Sequence, residues 1–279
     1  MIVNKGKRPR ISDSQKDRQN ADSGNSFHMK HNKQDKMQLI CGMRPVMEAL
    51  DADVQIDKVL IQSNLDGRLS QELRSKLAGR DFPVQYVPVE KLDKMTDSNH
   101  QGVIAIVSPI KYHDFVDLLQ SLLDAGKAPF ILLMDHITDV RNLGAIVRTA
   151  ECVGADAVVV PDRGSAQISE DAIKTSSGAL LRIPVCRASN LKTVANFAHQ
   201  CGVQICAATE KGSVNYTDVD FSKPTILVMG SEETGISNEM LRLCDVCASL
   251  PIKGEVQSLN VSVAAGVFMY EMLRQRSRQ

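Results

Sequence analysis

From residue 130 onward the chain alternates short, wholly apolar runs with longer stretches in which apolar residues recur every three or four positions. The short runs predict strands over 130–134, 157–160, 203–207, 225–229 and 246–250. They carry no polar alternate positions, as expected of parallel strands buried on both faces. The longer stretches predict helices over about 143–153, 169–175, 191–200, 238–243 and 258–276. Residues 38–107 repeat the alternation on a smaller scale. Strand signals there fall near 38–41 and at 58–62, 83–87 and 102–107. Helices are expected after Gly42, with Pro45 in the first turn, and over 69–78 and 89–95. Such alternation predicts an α/β chain with a parallel sheet in its larger part. The last helix is apolar nearly all round, through Leu259, Val261, Val263, Ala264, Val267, Phe268 and Met269. It is expected to be buried against the sheet or against a partner subunit.

Residues 1–36 show almost no apolar periodicity and are expected to form a disordered basic arm. A small α/β domain is expected over 37–108 and a larger one over 129–279. Residues 109–128, with Pro109 and Gly126, read as a linker carrying a short helix at 115–123.

Composition narrows this picture. Hydrophobic residues make up 43% of the 279, but Trp is absent, so the cores must be built from Val, Ile, Leu, Ala and Met. The net charge is zero but unevenly spread: residues 1–36 hold nine Lys/Arg against four Asp/Glu, leaving the remainder five negative. A basic arm on an acidic body suits attraction to nucleic acid, and it equally suits a solvated tail. Of the seven Cys, Cys41, Cys152, Cys186 and Cys206 sit within apolar runs, as buried reduced thiols do. Cys244 and Cys247 form a lone C-x-x-C without the second pair of a zinc ribbon, so no metal is expected. No apolar run approaches the ~18 residues of a membrane span, and the N-terminus lacks a signal-like stretch. A cytoplasmic protein is the expectation.

Three polar, glycine-containing segments border the predicted strands 130–134, 225–229 and 246–250. They are residues 142–149 (NLGAIVRT), 230–235 (GSEETG) and 250–260 (LPIKGEVQSLN). Groups at strand ends of an open α/β sheet gather into one site. The second has G-x-x-x-x-G spacing, but Ile236 stands where a phosphate-binding loop needs Lys. Glu232 and Glu233 inside the loop would repel phosphate, so a neutral or cationic ligand fits better. Asn142 is suited to cap a helix starting near Leu143, and Ser258 to cap the last helix; both would also project toward a ligand. Arg148 lies in an apolar helical stretch and needs a partner, either a carboxylate or a phosphate. His136 could serve as a general base, but with no carboxylate at a recognisable spacing it reads as an ordinary loop residue.

In order and spacing, the three segments resemble the motifs of the SpoU-type RNA ribose 2′-O-methyltransferases of the SPOUT superfamily: N-x-G-x-x-x-R-T, G-x-E-x-x-G and S-L-N. The region 38–108, ending Asn99-His100-Gln101-Gly102-Val103, resembles that family's ribosomal-protein-like substrate-binding domain. The resemblance implies a C-terminal knotted (trefoil) parallel-sheet domain, an obligate homodimer, S-adenosylmethionine as methyl donor, RNA as partner, and neither metal nor membrane. It implies Arg148 as the central catalytic residue. Asn142, Ser258 and Asn260 would hold Arg148 and the ribose, and Glu232 would fix the Gly230 loop and could pair with Arg148. It also implies a cofactor pocket of three loops containing Thr209, Gly230, and Leu250, Ile252 and Leu259. The branch it most resembles methylates a guanosine in 23S rRNA. A tRNA ribose methyltransferase and an inactive RNA- or ribosome-binding protein are the alternatives.

Overall fold

A computed structural model describes residues 38–80, 82–256 and 258–277; the arm expected over 1–36 lies outside the described residues. The first strands and helices are β1 (Leu39–Cys41), α1 (Met43–Asp51), β2 (Ile56–Gln62), α2 (Arg68–Leu77), β3 (Val84–Val87), α3 (Val89–Asp93) and β4 (Val103–Val107). They form a four-stranded sheet in the order β1-β4-β2-β3, in which only the β2–β3 pair is parallel. Val46, Leu50, Leu73 and Leu77 of α1 and α2 cover one face, and Leu92 of α3 covers the other. The turn into β4 is held by His100, whose Nδ1 accepts from Gly102 N at 3.0 Å while Nε2 meets Asp93 at 2.9 Å.

The chain continues through β5 (Tyr112–His113), α4 (Phe115–Asp124), β6 (Phe130–Asp135), α5 (Val140–Cys152), β7 (Ala157–Pro161), α6 (Glu170–Thr175), β8 (Val185–Ala188), α7 (Leu191–Gln200) and β9 (Gln204–Ala208). It ends with β10 (Val214–Asn215), β11 (Thr225–Gly230), α8 (Asn238–Leu241), β12 (Val246–Ser249) and α9 (Val261–Arg276). These eight strands form an all-parallel sheet in the order β10-β12-β9-β11-β6-β7-β8-β5. Its two faces bury alternate residues of each strand. Leu132 and Met134 of β6 pack with α5, α6 and α9, while Ile131 and Leu133 pack with α4, α7 and α8. The apolar runs follow from this, since helices cover both faces.

Residues 109–128 contribute β5 at the edge of the larger sheet and α4 on one of its faces, so this stretch is part of the larger layer. β5, β8 and β10 have no counterpart in the pattern of apolar positions. Cys186 and Cys206 are buried as expected, Cys41 is half-buried and Cys152 is exposed. Helix α9 buries Val261, Ala265, Phe268, Met269 and Met272 and leaves Val263, Val267, Tyr270 and Leu273 exposed. Arg276, near its end, donates to the carbonyls of Phe221, Ala128, Pro129 and Lys223 and so ties the helix to the foot of the sheet. Among the described residues no helix is long and apolar enough to cross a membrane.

Candidate active site

The carboxyl ends of β9, β11 and β12 and the first turn of α9 enclose a cavity of about 540 Å³. Its floor is apolar, formed by Met229, Ile236, Ala264 and Phe268, and its walls are three loops: 208–211, 230–236 and 250–260. The volume and the mixture of apolar floor and polar rim are those of a small-molecule site. Thr209, Gly230, Leu250, Ile252 and Leu259, the residues expected to hold a cofactor, all line it.

The Gly230 loop closes on itself. Ser231 N donates to Gly235 O at 3.1 Å, Gly235 N returns a bond to Ser231 O at 3.0 Å, and Thr234 N donates to Ser231 Oγ at 3.1 Å. A Cβ at Gly230 would lie 2.3 Å from the backbone of Gly235 and Ile236, and Gly235 adopts φ +70°. The first glycine thus permits close approach and the second a left-handed turn. Thr209 N donates to Ala248 O at 2.9 Å, which ties the first loop to β12.

Asn260 joins the three polar, glycine-containing segments. Its Oδ1 caps α9, accepting from Ser262 N at 3.0 Å and Val263 N at 3.4 Å. Its Nδ2 donates to Asn142 Oδ1 at 3.1 Å and to Glu232 Oε1, which also accepts from Val261 N at 3.5 Å. Asn142, Glu232 and Asn260 therefore form one cluster, and Glu232, Ser258 and Asn260 line the cavity itself.

Five expectations need correction. Asn142 does not cap α5: the helix begins at Val140, and Asp139 accepts from Arg141 N at 2.6 Å and Asn142 N at 3.2 Å. Asp139 takes the capping role and leaves the Asn142 side chain for Asn260. Ser258 does not cap α9, which starts three residues later. Arg148 is exposed, lies outside the cavity lining, and has no hydrogen bond or ion pair among the described residues. Glu232 bonds Asn260 rather than Arg148. The reason is helical geometry: six residues carry Arg148 about 9 Å along α5 from Asn142 and roughly 120° round it.

The fifth concerns His136. A carboxylate partner exists, and it is the preceding residue. His136 takes φ +62°, turning its ring back so that Nδ1 lies 2.5 Å from Asp135 Oδ1. Asp135 is 1% exposed and its other oxygen accepts from Ser237 N at 2.7 Å. This pair braces the base of the Gly230 loop, because Asp135 pairs with Gly230 across β6 and β11. His136 itself is not in the cavity lining.

The cavity carries Glu210, Glu232 and Glu233 against Lys211, a set that favours a cationic or neutral ligand over a phosphate. Nothing in the sequence pattern assigns Glu210, Ile236 or Phe268 to the site, since they sit in otherwise ordinary strand-end and helix contexts. Asp139 was findable, since Asp three residues before a polar helical position is a common cap.

Known proteins resemble this chain in sequence and in fold. A sequence model of the SpoU rRNA Methylase family matches residues 129–270, and one described as RNA 2′-O ribose methyltransferase substrate binding matches residues 39–113. The chain belongs to the SpoU rRNA methylase family. A Bacillus subtilis relative of this SpoU methylase, described as a putative TrmH family tRNA/rRNA methyltransferase, is 34% identical over 85% of this chain and 96% of its own. The SpoU methyltransferase AviRb from Streptomyces viridochromogenes, solved with the cofactor AdoMet, superposes with a TM-score of 0.56 at 25% identity, covering 86% of this chain and 91% of that one. An AdoMet-bound rRNA methyltransferase from Sinorhizobium meliloti gives 0.54 at 26% identity over 85% and 86%.

Proposed function

We propose that this SpoU methylase transfers a methyl group from S-adenosylmethionine to a ribose 2′-hydroxyl of RNA, with a guanosine of 23S rRNA as the target. The observation that carries the reading is the Asn142–Asn260–Glu232 cluster at the mouth of a carboxylate-rimmed cavity. The cavity residues fit S-adenosylmethionine: the Gly230 loop allows close backbone approach, the floor is apolar, and Glu210 and Glu233 complement a cationic ligand. When bound, the cofactor supplies an electrophilic methyl group on a positively charged sulfur.

The remaining work falls to the chain. A 2′-hydroxyl is a weak nucleophile and must be aligned and relieved of its proton. Asn260 is locked by its cap and by two partners, so it holds Glu232 and Asn142 in register at the mouth. Ser258, exposed on the same rim, is placed to meet the ribose. Arg148 is a permanent cation, which rules out a base role near neutral pH. It binds the neighbouring phosphate and favours the ionised hydroxyl electrostatically.

The exposed apolar face of α9 supports a homodimer through that helix, since Val263, Val267, Tyr270 and Leu273 form a continuous uncovered stripe. Arg148 then acts on RNA held at the second copy's cavity. Insertion of β12 between β9 and β10, both laid down earlier, supports the trefoil threading of the C-terminus.

The description of the Bacillus subtilis relative as a tRNA/rRNA methyltransferase keeps tRNA as a second reading. Label transfer from methyl-tritiated S-adenosylmethionine to 23S rRNA, 16S rRNA and bulk tRNA, from a strain lacking this gene, decides it. Label in 23S rRNA is expected. Label in tRNA alone would overturn the substrate and keep the enzyme class. No label in free RNA or in ribosomal particles would leave an inactive RNA-binding protein.

A further inference from the structure

A second and larger cavity, about 740 Å³, lies between the two domains. We propose that it binds one single-stranded nucleotide of the RNA substrate, flanking the one that is methylated; this rests on the RNA methyltransferase reading.

Placement is the first argument. The carboxyl ends of β7 and β8 open into the cleft through Asp162 and Ala188, on the same sheet edge as the cofactor cavity. In the order β9-β11-β6-β7-β8, two to three strand spacings separate β11 from β7 and β8, roughly 10–15 Å. A short stretch of single strand bridges such a span.

Chemistry is the second. Each wall supplies an arginine with no carboxylate partner among the described residues. Arg80, on the small domain, donates among the described residues only to the carbonyls of Leu50 at 3.3 Å and Lys76 at 3.4 Å. Arg163, on the large domain, is exposed and has no hydrogen bond or ion pair among the described residues. Both are placed to meet a phosphate. The half-buried ring of Phe82 offers a stacking surface for a base. Asp53, Asp114 and Asp162 also line the walls. They disfavour a run of phosphates and suit the amino and imino edge of one unpaired base. The set therefore selects a single splayed nucleotide over a duplex backbone.

Rigidity is the third. Asp57 of the small domain is bonded to Arg187 and Gln167 of the large one, at 2.5 and 2.8 Å. The walls are thus held at one separation, and a nucleotide in the cleft stands at a fixed distance from the cofactor cavity.

The test uses the full chain, the Arg80→Ala/Arg163→Ala double variant and the Arg80→Lys/Arg163→Lys double variant. Anisotropy is followed across a salt series with a labelled single-stranded RNA of mixed sequence, about 16 nucleotides long. Ultraviolet crosslinks are mapped by mass spectrometry. The alanine variant is expected to bind about tenfold more weakly, with the slope of log K against log salt reduced by about 1.4, or about 0.7 per lost contact. The lysine variant should keep the slope, and wild-type crosslinks should fall on the Phe82 peptide. S-adenosylmethionine affinity by calorimetry should be the same in all three, which checks the fold. Unchanged affinity and slope, with crosslinks elsewhere, would overturn the proposal. So would GMP binding at the cleft as tightly as the oligonucleotide, which would mark a free-nucleotide site. RNA held at the cleft with no methyl accepted by any RNA pool would sink the methyltransferase reading alone. Methylation with the alanine variant unaffected would sink the cleft alone.

Discussion

Arg187 on β8 and Asp57 on β2 stand 130 positions apart and meet at 2.5 Å, with side chains only 8% and 12% exposed. Around them Arg187 Nη1 donates to Asp57 O at 2.9 Å, the guanidinium lies 3.7 Å over the Tyr112 ring, and the Tyr112 hydroxyl donates to Asp57 Oδ1 at 3.1 Å. Burial, the largest influence on Tyr112, pushes its hydroxyl up to about 12, so it remains a donor. Breaking one side of such a pair leaves a buried charge alone, at a cost of about 3–5 kcal/mol, whereas replacing both sides costs far less. Asp57→Asn and Arg187→Met are therefore expected to loosen domain docking strongly, and Asp57→Leu/Arg187→Met to recover much of the loss. Urea denaturation, with proteolysis in the 108–111 connection between β4 and β5 as a docking probe, reads this. Additive costs in the double variant would show that the pair is not the latch.

Arg148→Ala should lower transfer by about 10²–10³, the scale for removing one electrostatic stabiliser of a developing oxyanion. It should leave S-adenosylmethionine affinity unchanged, because Arg148 lies outside the cavity lining. Single-turnover label transfer and calorimetry separate the two quantities. Loss of cofactor binding in this variant would make Arg148 part of the pocket instead.

Asn260 both caps α9 and positions Glu232, and two substitutions divide these roles. Asn260→Ala removes both and should cost about 1 kcal/mol of stability. Asn260→Asp keeps an acceptor for Ser262 N and Val263 N at a helix N-terminus, where negative charge is favourable. It loses the amide donor and sets a carboxylate against Glu232. Transfer is expected to collapse in both variants while the melting temperature falls only in the first. Activity that tracked the melting temperature would reduce Asn260 to a cap.

The same residue shows why the site was partly legible. Strands β6, β7, β9, β11 and β12 announce themselves as apolar runs because helices cover both sheet faces. The Gly230–Gly235 spacing encodes the loop directly, through one absent Cβ and one left-handed residue. The caps are ambiguous in the sequence because Asn142 and Ser258 each sit within three residues of the residue that caps in the structure, Asp139 and Asn260, and composition does not rank them. β8 escaped notice because its four residues, Val185–Ala188, include the charged Arg187. That exception was itself the signal: an arginine inside an apolar run needs a buried partner, and Asp57 on the other domain supplies it. Nothing in the spacing of residues 57 and 187 announces that they meet.

Three thiols make stability fall with alkaline pH. Burial is the first cause for each and pushes Cys186, Cys206 and Cys244 from 9.0 to about 12. Below pH 9 both folded and unfolded chains keep these protons and the thiols add no pH dependence. Above it the unfolded chain releases protons that the native state retains, so unfolding is favoured progressively between about pH 9 and 12. Urea midpoints at pH 8 and pH 10 should show the drop, and Cys186→Ala/Cys206→Ala should flatten it relative to wild type. An equal drop in that variant would place the alkaline sensitivity elsewhere.

The uncovered stripe of α9 leads to a sharper prediction about how sites are shared. A Cβ at Gly266 would lie 4.0 Å from Thr149 Cγ2, so the exposed face of α9 borders the segment of α5 that carries Arg148. If the second copy docks there, its cavity faces the first copy's Arg148, and each site draws on both chains. Gly230→Ala should abolish cofactor binding, since its methyl would collide with the Gly235 and Ile236 backbone. Arg148→Ala should spare it. Co-expressed with different tags and purified as the mixed dimer, these two inactive chains would form one site that is intact in both respects and regain part of the wild-type activity. Val267→Arg, placed in the middle of the stripe, should yield monomers in sedimentation and remove the rescue. A mixed dimer without activity would show that Arg148 serves the cavity of its own chain.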